Sequence, residues 1–563
     1  MTSFVRGLSG ALLLTLAIGC GGPKTPDQTP QAKGAQATMD RVLTEVVVNQ
    51  PATCRSLGMR KECDGKIADY SAAGIQKRVA FLEGAQKEIA ALDITYLGDD
   101  GRLDQKLIDL AIREELFRLT ELKLWTKRPA FYDELFSVDC YLTREYAPID
   151  ERAKSLKTHV TAALAQTKHV FENLKGPMPR SFVETDIGIY KGYAEYLRGD
   201  VVKILQTVKD PALQKSTIEA VNKLAAEAQA IHERLETSEL TRADSSHVLG
   251  VERYKHLLSV QEALDIDLSE LEKMAQADLD KNKAAYEELV NSGITETRPK
   301  GDDLLRVART LVVDSKTFIE KKNVISIPKE GKLQVQESPP YMRWNSAFLN
   351  APGPFDPANL VAFYYITLPN PEWSTREQEE YVMSYGSLLA TSVHEVFPGH
   401  FLQDMRARQA PTRAQKMLGS YSFIEGWAHY TEQMMVEEGF GAATPENKLG
   451  QLSDALLRNC RFIASIGLHT KNMTPKEAEE RFVKDCKQDR ANAKQQAARG
   501  TFDPGYFAYT LGKLQILELR EEAKEALGKK FDLKKFHDAL LSHGSPPVPL
   551  IRDRVLHEIG AAK

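Results

Sequence analysis

The chain has 563 residues, 42% hydrophobic and 27% charged, which is ordinary for a soluble globular protein and long enough for several domains. Its 74 basic and 78 acidic residues leave a net charge of -4, so nothing in the balance calls for a nucleic-acid partner.

Residues 1–19 have the pattern of a signal peptide: MTSFVR carries a positive charge, and GLSGALLLTLAIG is an apolar run too short to span a bilayer comfortably. Small residues at Ala17 and Gly19 precede Cys20, which fits ordinary cleavage and a soluble secreted product. The stretch also resembles a bacterial lipobox, with Leu16 four places before the cysteine instead of three. That resemblance implies lipidation of Cys20 and a protein anchored to a bacterial membrane, facing the periplasm or exterior. Residues 20–38 hold no aliphatic run and are expected to form a flexible tether. In an exported chain Cys54 and Cys63, flanking a short polar loop, are the first disulfide expected, and Cys460 with Cys486 is a second candidate. With Cys140 the remaining cysteines are odd in number, so one stays free or pairs outside the chain.

From 39 to 295 the pattern is helical. IQKRVAFLEGAQKEIAAL, LIDLAIREELFRLTELKLW and IEAVNKLAAEAQAIHERL each repeat apolar residues at intervals of three and four. GDDGR at 98–102, KGPMP at 175–179 and NSG at 291–293 read as turns, and Asp267 or Ser269 as an N-cap. Between 296 and 375 the texture changes. NVISIPKEGKLQVQES suggests a hairpin around a Pro/Gly turn, and LVAFYYITLPNP reads as a strand. That strand is either a buried core element or a sheet edge able to pair with an extended peptide. Helix returns with REQEEYVMSYGSLLATSVHEVF and dominates from 376 to 563. Residues 39–563 are expected to form one cleft-forming unit.

His-Glu pairs occur at His232-Glu233, His394-Glu395 and His557-Glu558. The first and last lack a second histidine within eight residues downstream and read as solvated helix faces. In TSVHEVFPGHFLQ the next histidine is His400, six places after His394, a spacing that does not share a face on a regular helix. Pro398 removes a donor to the carbonyl of His394 and Gly399 tolerates unusual angles, so the helix is expected to kink or bulge and absorb two residues. Otherwise PGH merely ends a core helix. Glu425, in YSFIEGWAHYTEQ, is placed to be a third ligand on the next helix. Two histidines, a carboxylate and one position left for water is a common set for zinc in hydrolases. His429, four residues on, is expected to hydrogen-bond a ligand, or to displace Glu425.

The pattern His394-Glu395-x-x-Pro398-Gly399-His400-x-x-Gln403, followed by Glu425-Gly426-Trp427-Ala428-x-Tyr430-x-Glu432, resembles the bacterial domain-of-unknown-function 885 family, which is grouped with the zincin metallopeptidases. Tyr509–Pro547 and VLGVERYKHLL at 248–258 also look similar. The resemblance implies a mainly α, large helical zincin-like (gluzincin-type) fold with a small β-sheet beside an active-site cleft. The expected activity is that of an exported zinc-dependent metallopeptidase. One Zn2+ sits on His394, His400 and Glu425, and Glu395 is the general base. His429, Gln403 and Tyr430 support the ligands. Tyr509, then Tyr506, are the oxyanion donors in a segment the resemblance puts near the site, and Arg520 receives a substrate carboxylate. Two other functions share these residues: a binding or structural lipoprotein with a vestigial site, and a metal hydrolase of non-peptide amides or esters.

Overall fold

The structure, a computed structural model, describes residues 29–562 other than 340, 341 and 344; the expected signal peptide and Cys20 lie outside the described residues. Helix α1 (Pro30–Val48) begins within the segment expected to be a tether. Thr29 caps it by accepting from the Ala32 N–H at 3.1 Å, Pro30 occupies the first turn, and Ala32 and Ala35 are buried. Helix α2 spans Ala72–Ala90 and α3 spans Asp99–Leu116. The expected turn at 98–102 is therefore the start of a helix, with Asp99 and Asp100 in the first turn where the helix dipole favours acids.

Helices α4 (Ile149–Gln166), α5 (Arg180–Tyr196) and α6 (Pro211–Arg234) pack around their own core of Leu156, Val183 and Leu224. Helices α7 (Val251–Glu262) and α8 (Leu268–Asn291) follow, with Asp267 at the N-cap position of α8 and Gly293 at φ +81° just past its end. Helix α9 (Leu304–Lys322) leads into the sheet.

Among the described residues the strands form one three-stranded sheet. β1 (Lys332–Glu337), β2 (Ala347–Asn350) and β3 (Val361–Ile366) lie in the order β1-β3-β2, with β1 parallel and β2 antiparallel to β3. This corrects two expectations. NVISI is not a strand, so KLQVQE has no hairpin partner and pairs instead with β3. The aromatic run of β3 is central, not an edge: both its sides carry strands, and Ala362, Tyr364 and Ile366 are fully buried. Among the described residues no strand pairs with the outer side of β2, whose Leu349 N–H faces Glu395.

The helix expected from 376 is interrupted. A short helix, Thr375–Tyr381, stops before Ser384, whose hydroxyl caps α10 (Tyr385–Glu395) by accepting from the Ser387 N–H. Then come α11 (His400–Ala407), α12 (Tyr421–Glu437), α13 (Pro445–Thr470), α14 (Arg490–Phe502) and α15 (Ala508–Leu527). Val393, Leu402, Phe423, Trp427 and Ile516 from these helices join β3 in the core that carries the site. Leu271 and Ala275 of α8 share a core with Phe462 of α13 and Leu511 of α15, so packing runs across residue 295. Helices α12 and α15 touch at glycines: a Cβ on Gly512 would lie 1.8 Å from the Ser422 carbonyl oxygen, and one on Gly426 would lie 2.4 Å from Gly512 Cα. Both expected disulfides, Cys54–Cys63 and Cys460–Cys486, are formed and Cys140 is free. No helix among the described residues is long and apolar enough to cross a membrane.

Candidate metal centre

Helix α10 ends at Glu395. Val396 leaves helical geometry (φ -122°, ψ -82°), the Phe397–Pro398 peptide is cis, and α11 restarts at His400. The sequence suggested a kink or bulge in one helix; the chain instead breaks and begins again. Pro398 has no N–H to continue α10, and Gly399 folds back so closely that a Cβ there would lie 1.8 Å from the His394 carbonyl oxygen. The Gly399 N–H donates to the Val393 carbonyl at 3.0 Å, which fastens the reversal. Trp427 of α12 donates from its indole to the Pro398 carbonyl at 2.9 Å, tying the second motif to the first.

This break brings the histidines together, with ring centroids 4.7 Å apart and planes at 83°. Oε2 of Glu425 lies 3.3 Å from Nε2 of His394 and 3.5 Å from Nε2 of His400. One donor atom from each of the three residues fits within a span of 4.8 Å. Glu425 Oε2 is buried yet has no well-aligned hydrogen bond. A buried acceptor facing two imidazole nitrogens, with nothing aligned to satisfy it, is what a cation would complete. The donor set fits zinc.

The opposite side of His394 is anchored. Its Nδ1 donates to Glu432 Oε1 at 2.7 Å, which leaves the Nε2 lone pair for a metal. Glu432 also receives Arg458 Nη2 at 2.9 Å and meets His429 Nδ1 at 3.1 Å. Burial alone would raise the Glu432 pKa; the Arg458 guanidinium and His429 outweigh it and hold the carboxyl well below its usual range. His429, expected to touch a ligand, thus acts one step further out, through Glu432. Burial pushes its own pKa down to about 4. Sequence reasoning placed Glu432 in the second motif but gave it no role, and it missed Arg458. A signal existed for Glu432, which lies two helical turns after Glu425 on the same face. None existed for Arg458.

Glu395 is buried, and its Oε2 accepts the Leu349 N–H of β2 at 2.8 Å. Burial pushes its pKa above the usual value. His400 and Glu425 open on a cavity of about 380 Å3, lined also by Leu349, Ala351, Asp404 and Ile424. The Tyr509 ring lies nearly parallel to His394, at 15° and 6.3 Å between centroids. Tyr506 is fully buried with Leu468 and Ala497, and its hydroxyl has no hydrogen-bond partner.

Two further expectations change. Arg520 lies 11 residues, roughly 16 Å of helix, beyond Tyr509 on α15. It is buried and committed to Glu437 and the Tyr430 hydroxyl, at 3.1 and 3.2 Å. It is not placed to receive a substrate. Tyr430 belongs to that same cluster, donating to His537 Nε2 at 2.8 Å, and does not support the ligands. Gln403 is buried on α11 with no side-chain hydrogen bond. His232 contacts the Ile187 carbonyl, and His557 is exposed.

The model of a family described as bacterial proteins of unknown function, DUF885, matches residues 51–555. The chain belongs to this family. No curated protein matches the sequence. Among solved structures, one described as a candidate lipoprotein of unknown function from Shewanella oneidensis aligns over 94% of this chain and all of its own, at 25% identity and TM-score 0.73. Another, described as a candidate lipoprotein from Colwellia psychrerythraea, aligns over 94% of this chain and all of its own, at 17% identity and TM-score 0.76. The DUF885 fold is thus shared with both. A carboxypeptidase from Pyrococcus furiosus aligns over 95% of this chain and 96% of its own, but at 13% identity and TM-score 0.41 it carries no argument.

Proposed function

We propose that this DUF885 protein is an exported, zinc-dependent peptide hydrolase of zincin type, with His394, His400 and Glu425 as ligands and Glu395 as general base. The observation that carries the reading is the break at residues 396–399, which turns two histidines onto one carboxylate oxygen. Zinc, when bound, supplies Lewis acidity and makes water nucleophilic near neutral pH.

The chain's own residues do the rest. Glu395 takes a proton from the attacking water and passes it to the leaving amine as the C–O bond forms and the C–N bond breaks. Its raised proton affinity suits a base working near neutrality. Glu432 and Arg458 hold His394 in one tautomer and orientation. The Tyr509 hydroxyl is the candidate donor to the developing oxyanion. Tyr506 has no such place, because it is fully buried. An extended substrate would lie in the cavity along the outer edge of β2, beside Leu349, rather than along β3. Cys20 is the proposed lipid attachment point, in keeping with the descriptions of the two bacterial relatives.

The test is Glu395→Gln assayed on a peptide library. Metal content should stay at the wild-type level while hydrolysis falls about 10²–10⁴-fold. Full activity in the variant would remove Glu395 from the mechanism.

A further inference from the structure

Beside the metal position, three arginines converge on the ring of Tyr509. The guanidinium carbons of Arg458, Arg461 and Arg499 lie 5.7, 4.8 and 6.0 Å from its centroid. Two of them are neutralised. Arg458 pairs with Glu432 at 2.9 Å, and Arg499 pairs with Asp503 at 2.9 Å while donating to the Tyr421 hydroxyl at 2.9 Å.

Arg461 is different. It is only 8% exposed, and its Nε donates to the neutral amide of Gln496 at 2.9 Å. Among the described residues no carboxylate pairs with it. Burial of an unpaired cation is costly, and two neighbouring arginines add repulsion. A guanidinium presents a planar fork of donors suited to a carboxylate. An anion from outside the chain would supply the charge partner that Arg461 lacks.

Its position says which anion. The Tyr509 ring lies 4.8 Å from the Arg461 guanidinium and 6.3 Å from the His394 imidazole centroid, so Arg461 is no further from His394 than the sum of these two distances. An anion on Arg461 thus belongs to a molecule whose reacting bond, at the metal, is only a residue or two of chain away. When a peptide is cut one or two residues from its end, the free C-terminal carboxylate lies at that distance from the scissile bond. Arg499 leaves 29% of its side chain exposed, so the cluster meets solvent on that side.

We propose that Arg461 receives the terminal carboxylate of the peptide, and that the centre releases one or two residues from the C-terminus instead of cutting within a chain. This rests on the hydrolase reading above and deepens it. The residue expected from sequence for this task, Arg520, already has Glu437 as its partner.

The test uses the zinc-loaded full chain and two peptide libraries, identical except that one ends in free carboxylates and the other in amides. Mass spectrometry should show free-acid peptides shortened from the C-terminus, and amidated peptides cut at least ~10-fold more slowly. Arg461→Gln should lower kcat/KM on the free-acid library about 10–100-fold, the loss of a charge-assisted pair, and narrow the acid-to-amide difference. Arg461→Lys should restore part of it. A readout independent of turnover is equilibrium dialysis against Glu395→Gln protein, which should retain free-acid peptides over amides.

Equal cleavage of both libraries, or internal cuts, would overturn the proposal while leaving the hydrolase reading intact. If neither library is cut, the hydrolase reading fails and the proposal with it. Should Arg461→Gln not fold, the comparison of libraries on wild-type protein still decides.

Discussion

Helices α12 and α15 carry two buried polar clusters that look alike in sequence and differ in closure. One holds Tyr430, Arg520, Glu437 and His537; the other holds Glu425, Tyr509, His394 and Arg461. In the first, Arg520 pairs with Glu437, the Tyr430 hydroxyl bonds His537, and His537 Nδ1 meets the Val324 carbonyl at 2.8 Å. Burial pushes the His537 pKa down to about 4, so it is a neutral link in a finished network. In the second, Glu425 faces two histidines without an aligned hydrogen bond, and Arg461 has no acid beside it among the described residues. Each residue in the first cluster has a partner inside the chain, although Arg520 Nε makes no hydrogen bond and only faces Glu521 at 3.6 Å; in the second, a carboxylate and a guanidinium have no such partner among the described residues. Residue type alone does not mark a site; it takes unsatisfied buried groups gathered beside residues able to hold a metal.

That contrast sharpens under mutation. The largest effect belongs to the open cluster. Glu432→Gln removes the charge that fixes His394, and zinc affinity should drop about 10–100-fold, read by competition with a chelator; unchanged affinity would mean that Glu432 does not position the ligand. Arg520→Met in the closed cluster should leave zinc binding and hydrolysis at wild-type levels. It should cost about 1–2 kcal/mol of stability, modest because Glu437 is partly exposed, and denaturant unfolding measures it. Loss of hydrolysis with normal stability would return Arg520 to the substrate.

The smallest effect tests a buried group that belongs to neither cluster. Glu262 of α7 accepts the Ser422 N–H at 3.2 Å and the Ser422 hydroxyl at the start of α12, and burial pushes its pKa up to about 8. The folded state therefore keeps a proton that the unfolded chain releases near 4.3. Its contribution to stability is full below that pH and is lost as pH rises through about 8. Glu262→Gln should flatten the melting-temperature profile between pH 6 and 9. An unaltered profile would show that Glu262 is ionised in the fold.

Much of the candidate metal centre was legible because it depends on local rules. The proline at 398 cannot continue α10, the glycine at 399 permits the fold-back, and His and Glu are the residue types zinc takes. The depth of the break was not legible, since a bulge and a complete restart satisfy the same residues. The role of Glu432 could be inferred from its spacing after Glu425, but only once Glu425 is known to face His394. The aromatic run of β3 has the composition of either an edge or a centre; long-range pairing with β1 and β2 decides between them. Likewise Arg520 and Arg461 look equivalent on their helices. What separates them is Glu437 beside one and, among the described residues, no carboxylate paired with the other.

The central claim is that the break at Pro398–Gly399 assembles a metal site. Its most direct measurement is the metal content of purified full-length protein beside His400→Ala, both supplied with zinc. The account predicts about one zinc per wild-type chain, much less in the variant, and similar far-ultraviolet circular dichroism for the two. Wild-type protein without metal after zinc is supplied, or a variant that binds zinc equally well, would contradict it and make the break a structural helix end.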